Sequence, residues 1–278
     1  MVIWEVDCYR RPLRDAAGQS LWELLVCDRP FQFTYGATAP QSAVNSDWLR
    51  QQLTMALQKS GQSPDEIRVF RPQCLSLLQV AAEPLSLPVV PSRTTPTLKR
   101  WLVQRSQWYP AQPEYSGEPY DPLAVEQLAP VPMPENLWGD QWRFGSLSAQ
   151  DLQESLIYEP MPFQVVPADF LPLNLGLPST AAIPGVIIDA GRRSLPLAQW
   201  LQEQQPATLT YIPGAPDGVI LAAGLVDRWV LTTFEDPQVA AAGQQFNERQ
   251  QQAHGLHFLL VRPDDSGMTF TGIWLLRL

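Results

Sequence analysis

The sequence has little of two residue types on which many metal and catalytic sites depend. Only three cysteines and two histidines occur among the 278 residues. Cys8, Cys27 and Cys74 show no C-x-x-C spacing, which predicts reduced, buried thiols. His254 and His257 are three positions apart. Gly255 between them disfavours a shared helix face, and in a strand this spacing puts them on opposite faces. No metal site and no cofactor are therefore expected.

The chain also lacks the signatures of several large protein classes. It contains no G-x-x-x-x-G-K-[ST], G-x-G-x-x-G or G-x-S-x-G motif, so the chemistry that depends on these motifs is not expected. No apolar run approaches the roughly 18 residues that a membrane span needs. The first residues, MVIWEVDCYRRPL, do not place an apolar stretch after a basic one, and acidic residues come at once. A cytoplasmic protein without a membrane span is predicted.

Charged residues are scarce and unevenly distributed. They make up 17% of the chain, and the formal net charge of −9 argues at first against a nucleic acid as partner. Residues 1–110 nevertheless carry twelve basic and nine acidic residues, a net charge of +3. Residues 111–278 carry seven basic and nineteen acidic residues, a net charge of −12. This asymmetry predicts different partners for the two halves.

Proline, in contrast, is abundant, and its positions divide the chain into three parts. Thirteen of the 28 prolines lie between residues 109 and 184. Proline is excluded from helix interiors and central strands, so regular structure should be sparse there, apart from a helix near 149–156. The aromatic residues of this segment are too many for a free linker. We predict a basic domain (1–108), an ordered proline-rich strap (109–184) packed on the domains, and an acidic domain (185–278).

The hydrophobic patterns predict an α/β fold with a mixed sheet in each domain. The first part reads β-β-β-α-β-α-β-α, with strand patterns such as IWEVDCY and SLWELLVCD. The last part reads as a strand, a helix, three strands, a helix and two strands. Both parts thus contain β-β-β-α-β. A three-stranded meander that crosses by a helix to a fourth strand is typical of the restriction-endonuclease-like fold.

Two segments of the chain resemble each other, which bears on the relation between the two domains. The segments PVVPSRTTPTLKRWL (88–102) and GVIIDAGRRSLPLAQWL (185–201) each read as a strand, an arginine-bearing turn and a helix that carries Trp-Leu. Two interpretations stay open. In the first, the two domains are related, and the strand-turn-helix segment stands at a different place in the element order of each. In the second, the same strand-turn-helix pattern arose independently in the two domains.

Basic residues beside aromatic ones are the strongest indication of a binding site. RNA binding requires cations for the phosphates and flat side chains on which unstacked bases can lie. Arg93 falls at a predicted strand-to-helix turn, where free backbone N–H groups and the positive helix end favour a phosphate. The alternative is an ordinary solvated helix face with Trp101 in the core. The predicted RNA-binding residues are Arg68, Arg71, Arg93, Lys99, Arg100, Arg192 and Arg193.

Three acidic residues support a competing interpretation, a metal-dependent nuclease. Glu5 and Asp7 lie on one face of a predicted strand, and Glu23 lies on its partner. Nucleases of the restriction-endonuclease-like fold usually place a lysine two residues after a strand glutamate, but Leu25 stands there. These carboxylates are therefore an active metal site, an inactive remnant of one, or structural groups. We predict that the protein is not an enzyme.

Four segments together resemble one family. They are WEVDCYRRPL with LWELLVCD (4–28), PMPENLWGDQW (132–142), IPGVIIDAGRRSLPLAQWL (183–201), and GLHFLLVRPDD with GIWLLRL near the carboxyl end. In this order they resemble the Tab-two-like family of cyanobacterial and chloroplast RNA-binding proteins, over nearly the whole chain. Because the chloroplast members carry an additional amino-terminal targeting segment, the resemblance leads us to expect a cyanobacterial member.

The resemblance implies a function and partners but no catalytic residues. It implies a factor that supports the translation of photosystem I reaction-centre mRNA, with photosystem II as a further target, and hence photosystem biogenesis. The implied partners are an A/U-rich mRNA 5′ leader and translation or assembly proteins. An assembly scaffold that works without RNA is the remaining alternative.

Overall fold

The structure is a computed structural model that describes the backbone of residues 1–278 and the side chains of residues 1–154 and 159–278. The chain forms two compact units, Met1–Glu126 and Gln127–Leu278. The predicted α/β class with mixed sheets is confirmed, because each unit combines helices with parallel and antiparallel strands. None of the helices described is long and apolar enough to cross a membrane. The domain division expected from the sequence stays a prediction.

The amino-terminal unit follows the predicted element order. Its elements are β1 (Ile3–Arg14), β2 (Ser20–Asp28), β3 (Thr34–Pro40), α1 (Ser46–Ser60), β4 (Glu66–Val69), α2 (Pro72–Ala82), β5 (Val89–Pro91) and α3 (Pro96–Trp108). The strands form one sheet in the order β3-β2-β1-β4-β5. Strands β1 to β3 are antiparallel neighbours, whereas β4 and β5 extend the sheet in parallel with β1.

Local chemistry sets the helix ends of this unit. The Asn45 side chain accepts the backbone N–H of Trp48 at 2.9 Å, so it caps the first turn of α1. Gly61 ends α1 with φ of 66°, a left-handed conformation that glycine adopts without strain. Pro72 and Pro96 open α2 and α3, because proline at the first helical position removes a donor that would have no partner.

The two faces of the amino-terminal sheet differ in character. Because side chains alternate along a strand, Trp4 and Val6 join Leu24 and Val26 in an apolar core under α1 and α2. The opposite face carries only a small apolar cluster. Glu5 and Asp7 of β1 and Glu23 of β2 lie on that face, under α3.

All three cysteines are free and buried, as the sequence predicts. Burial raises the pKa of each thiol, to about 12 for Cys74. Thiols in this state are protonated at neutral pH and act as small apolar side chains.

The carboxyl-terminal unit contains two sheets. Its elements are β6 (Val131–Pro132), β7 (Gln141–Ser148), α4 (Ala149–Tyr158), β8 (Phe163–Val165), β9 (Ala182–Asp189), α5 (Ser194–Gln204), β10 (Pro206–Ile212), β11 (Asp217–Ala223), β12 (Asp227–Phe234), α6 (Pro237–Gln252), β13 (Leu256–Arg262) and β14 (Gly272–Arg277). One sheet has the order β10-β11-β12-β6, and the other has the order β7-β9-β13-β14-β8.

Two features of this unit differ from the sequence expectation. Strand β7 gives the proline-rich segment an eight-residue strand, because prolines flank QWRFGSLS without interrupting it. The shared order β-β-β-α-β is also built differently in the two units. Strands β1 to β4 lie in one sheet, whereas β10 to β12 form a sheet separate from β13. The common order therefore does not give a common sheet plan.

One buried histidine in the carboxyl-terminal unit is held neutral. His257 on β13 has no exposed surface, and its Nε2 atom accepts the backbone N–H of Leu209 at 2.9 Å. The Nδ1 atom therefore donates to the Gly255 carbonyl oxygen, 2.8 Å away. Burial lowers the pKa of His257 to about 4, although the Gly255 carbonyl acts in the opposite direction.

This histidine should make the carboxyl-terminal unit sensitive to acid. The histidine pKa in the unfolded chain is about 6.5, so between about pH 6.5 and 4 the unfolded state binds the proton that the folded state excludes. The free energy of unfolding should therefore fall by up to about 3 kcal/mol as the pH drops through this window. Urea unfolding at pH 7 and at pH 4.5 measures the loss. In His257→Gln the pH dependence should flatten, whereas exposed His254→Asn should retain it; equal slopes in all three proteins would contradict the prediction.

Candidate nucleic-acid interface

Helix α3 carries the largest group of predicted RNA-binding residues. Arg93 lies in the loop between β5 and α3, and Lys99 and Arg100 lie in the first turns of the helix. Leu98 and Leu102 are fully buried against the sheet, whereas Arg100 is exposed. The helix therefore docks by one side and leaves basic residues at its outer edge.

A carboxylate from the sheet occupies the amino end of α3. Oε2 of buried Glu5 accepts the backbone N–H of Leu98 at 2.8 Å, and Oε1 lies 3.4 Å from Nε of Arg29. A negative charge is favourable at the positive end of a helix. It also uses a backbone donor that the sequence interpretation had assigned to a phosphate. Phosphate contact at this end therefore depends on side chains.

The side chain of Lys99 is held against the backbone of Arg93. The Lys99 ammonium donates to the Arg93 carbonyl oxygen at 2.7 Å and lies 5.7 Å from the centre of the Phe70 ring. Burial lowers the pKa of Lys99, the Arg93 charge lowers it further, and Glu5 acts in the opposite direction. An anion beside this pair would favour the charged form of Lys99.

Arg68 lies on the same face of the sheet as these residues. It is the register partner of Glu5 on β1 and of Val90 on β5. The Nε atom of Arg68 is 2.5 Å from a carboxylate oxygen of Glu66, so this ion pair partly offsets the positive charge of Arg68. Exposed Arg100, in contrast, has no ion pair among the side chains described. We name Arg68, Arg93, Lys99 and Arg100 the α3 basic surface.

Helix α3 also carries aromatic rings. The ring of Trp101 meets the ring of Phe31 edge-on, with centroids 5.8 Å apart, and Phe31 is 41% exposed. At the far end, the Arg105 guanidinium lies 4.2 Å from the centre of the Trp108 ring, which is 44% exposed. Positions 101, 105 and 108 follow one side of the helix. Sequence reasoning missed Phe31, because nothing in the chain indicates that it approaches a residue seventy positions away.

Arg71, in contrast, lies inside the fold. It is 1% exposed, and its Nε atom is 3.0 Å from Oδ1 of Asp7. Its guanidinium also donates to the Pro122 carbonyl oxygen at 2.5 Å and stacks over the Tyr9 ring at 4.4 Å. A side chain without exposed surface does not reach a phosphate, so we leave Arg71 out of the proposed surface.

Arg11 is a second buried cation on this face. Its guanidinium lies 2.8 Å from a carboxylate oxygen of Asp7 and 3.2 Å from one of Glu23. Arg71 is the second cation bonded to Asp7, and Arg105 is the second bonded to Glu23. We name these residues the buried ion network.

Residues 109–126 close the buried ion network. The Tyr109 hydroxyl donates to Glu23 at 2.6 Å, and the Tyr120 hydroxyl accepts from Arg11 at 2.9 Å. This segment adds four acidic residues and no basic one, so the amino-terminal unit carries twelve basic and thirteen acidic residues. The unit as a whole is therefore not basic, and RNA binding would depend on a local surface.

The ion pairs of Glu5, Asp7 and Glu23 bear on whether these carboxylates could bind a metal ion. Glu5, Asp7 and Glu23 are each bonded to one or more guanidinium groups. A divalent cation at Asp7 and Glu23 would displace arginines and leave their buried charges unpaired, at a cost of several kcal/mol. Among the residues described, no cluster of three or more His, Cys, Asp or Glu side chains could hold a metal ion. The arrangement fits structural carboxylates.

Arg192 and Arg193 belong to the carboxyl-terminal unit, in the turn between β9 and α5. Both side chains are exposed. Arg193 lies 2.7 Å from a carboxylate oxygen of Asp140, whereas Arg192 forms no ion pair with any residue described.

Comparison with known proteins gives one consistent result along the whole chain. Residues 3–105 match the family described as "RNA-binding protein Tab2/Atab2 N terminal", and residues 120–277 match "RNA-binding protein Tab2/Atab2, C-terminal domain". Two plant proteins, both named "Protein TAB2 homolog, chloroplastic", are similar over 98% of this chain. The Zea mays protein is 30% identical over 70% of its length, and the Arabidopsis thaliana protein is 27% identical over 74% of its length.

One solved structure shows a weak likeness to this chain. A cryo-EM structure of the simian T-cell lymphotropic virus intasome in complex with PP2A regulatory subunit B56 gamma is 14% identical, with a TM-score of 0.25. The match covers 51% of this chain and 64% of that chain. A TM-score this low does not indicate a shared fold.

Proposed function

Because this chain belongs to the Tab2/Atab2 family of RNA-binding proteins, we propose that it binds RNA through the α3 basic surface and supports the translation of photosystem I reaction-centre mRNA. The proposed partner is the A/U-rich 5′ leader of that mRNA, with a photosystem II message as a further target and translation or assembly proteins beside it. The cytoplasmic location expected from the sequence stays a prediction.

The observation that carries this proposal is that α3 and the loop before it combine cations with partly exposed rings. Arg93, Lys99 and Arg100 offer positive charge, and Trp101 and Trp108 offer flat surfaces on the same helix. Cations neutralise the phosphates of single-stranded RNA, and aromatic rings stack on its bases. The net charge of the whole chain opposes RNA binding, so a local surface of this kind is required.

Crosslinking in photosynthetic cells tests the proposed target. Ultraviolet crosslinking of the tagged protein, followed by sequencing of the attached RNA, should enrich the 5′ leader of the photosystem I reaction-centre message. The enrichment should fall in a variant with Arg93→Ala, Lys99→Ala and Arg100→Ala. A matched control, Arg249→Ala, removes an exposed cation from α6 and should leave the enrichment unchanged. Reads spread over abundant transcripts, without leader enrichment, would refute the target.

The competing nuclease function leads to a separate expectation. Since arginines already neutralise Glu5, Asp7 and Glu23, we expect no cleavage of RNA or DNA when Mg²⁺ or Mn²⁺ is added to the purified protein. The measurement is the fraction of labelled RNA and DNA left intact, with and without EDTA. Cleavage that EDTA abolishes, and that is absent in a Glu23→Gln variant with an unchanged circular dichroism spectrum, would establish an enzyme.

A further inference from the structure

A cavity of about 370 Å³ lies between the two sheets of the carboxyl-terminal unit. Strands β6 and β12 of one sheet and strands β7 and β9 of the other supply its lining. The volume is within the range of about 300–1,000 Å³ that is typical of small-molecule sites. Two segments that carry the family resemblance, 132–142 and 183–201, meet at this cavity.

Two tryptophans form flat walls of the cavity. The indole N–H of Trp138 donates to the Met133 carbonyl oxygen at 3.1 Å, which orients a ring that is 48% exposed. The ring of Trp142 packs against the ring of Phe234, with centroids 5.2 Å apart. Between the tryptophans, a Cβ atom at Gly139 would come within 2.5 Å of Cγ2 of Ile188. The missing side chain at Gly139 therefore lets the segment approach β9 closely.

Polar groups accompany these rings, both inside the cavity and near its rim. Gln141 and Thr232 line it, so an amide and a hydroxyl group are available for hydrogen bonds. The ion pair of Arg193 with Asp140 places a guanidinium beside the lining segment, and Arg192 precedes it in the same turn. Flat walls, a few hydrogen-bonding groups and nearby cations match the base, the base edge and the phosphate of a nucleotide.

We propose that this cavity binds one unstacked nucleobase of single-stranded RNA, with the adjoining phosphate at Arg192 and Arg193. The inference rests on the proposed RNA-binding function and extends it, because it gives the carboxyl-terminal unit a nucleotide contact of its own. An apolar side chain of a partner protein would leave the hydrogen-bonding groups of Gln141 and Thr232 without a partner in the cavity. A nucleobase is therefore the better occupant.

Mononucleotides test this site on the full chain. Saturation-transfer difference NMR with uridine 5′-monophosphate and adenosine 5′-monophosphate should show magnetisation transfer to the base protons. Trp138→Ala should weaken binding at least about fivefold, because one stacking contact is lost, whereas Trp138→Phe should retain most of the affinity. Arg192→Ala combined with Arg193→Ala should weaken the binding of uridine 5′-monophosphate more than that of uridine. The control, Tyr115→Ala, removes an exposed ring that belongs to neither proposed surface and should change nothing.

The outcomes separate this inference from the proposed function. Absence of mononucleotide binding, or equal binding by the wild-type chain and Trp138→Ala, would overturn the inference and leave the cavity to an apolar protein side chain. Loss of binding in Trp108→Ala alone would overturn it as well, since the base would then lie on α3. Binding that is lost only in Trp138→Ala would support the cavity site, even if substitutions on the α3 basic surface left RNA affinity unchanged.

Discussion

Replacing Arg11 by methionine is expected to lower the free energy of unfolding of the amino-terminal unit by about 3–5 kcal/mol. The Arg11 side chain has no exposed surface, and the Glu23 side chain is 2% exposed. Methionine fills a similar volume but leaves Asp7 and Glu23 each with one cation fewer in a site that water does not reach. Arg71 and Arg105 remain paired with these carboxylates. The loss therefore comes from the buried hydrogen bonds that Arg11 donates to Asp7, Glu23 and Tyr120, whose acceptor atoms each lose that donor.

Chemical denaturation measures the effect of this substitution. The urea midpoint, followed by circular dichroism, should fall clearly in Arg11→Met. The matched control is Arg14→Met in the same strand, because Arg14 is 45% exposed and its pair with Glu118 is open to solvent. Exposed pairs contribute about 0–1 kcal/mol, so the control should stay close to the wild type. Equal midpoints for the two variants would show that the network does not stabilise the unit.

Element order was predictable from the sequence because it depends on local patterns. Alternating strands, the Asn45 cap and the prolines at the starts of α2 and α3 act within a few residues. Sheet assignment was not predictable in the same way. Whether β10 to β12 join β13 in one sheet depends on packing between segments that are distant in the sequence. Strand β7 was not predicted, because a proline count over residues 109–184 does not separate the proline-free strand from the proline-rich segments on either side of it.

The candidate site was predictable in part for the same reason. Arg93, Lys99 and Arg100 were identified by their position at a strand-to-helix turn, which is local information. The burial of Arg71 was not, because its carboxylate partner Asp7 lies sixty-four positions away in the chain. The negative charge at the start of α3 also comes from a residue that is distant in the sequence, Glu5 on β1. Long-range ion pairs decide which arginines remain available to RNA.

The second large effect is expected on the α3 basic surface. Each phosphate contact with single-stranded RNA releases counterions and contributes about 0.7 to the slope of log affinity against log salt. Arg93→Ala, Lys99→Ala and Arg100→Ala together should therefore flatten this slope by about 2 and weaken binding about 100-fold at roughly 0.1 M salt. The fold should remain intact, because the buried ion network and the apolar core are untouched.

The most direct test of RNA binding at α3 is the affinity of the full chain for a labelled A/U-rich single-stranded RNA at several salt concentrations. Fluorescence anisotropy gives the dissociation constant and its salt slope for the wild type, the triple variant and Arg249→Ala. We predict a steep slope for the wild type, a flatter slope and weaker binding for the triple variant, and no change for Arg249→Ala. Equal losses in both variants, or none in the triple variant, would show that RNA does not bind at α3.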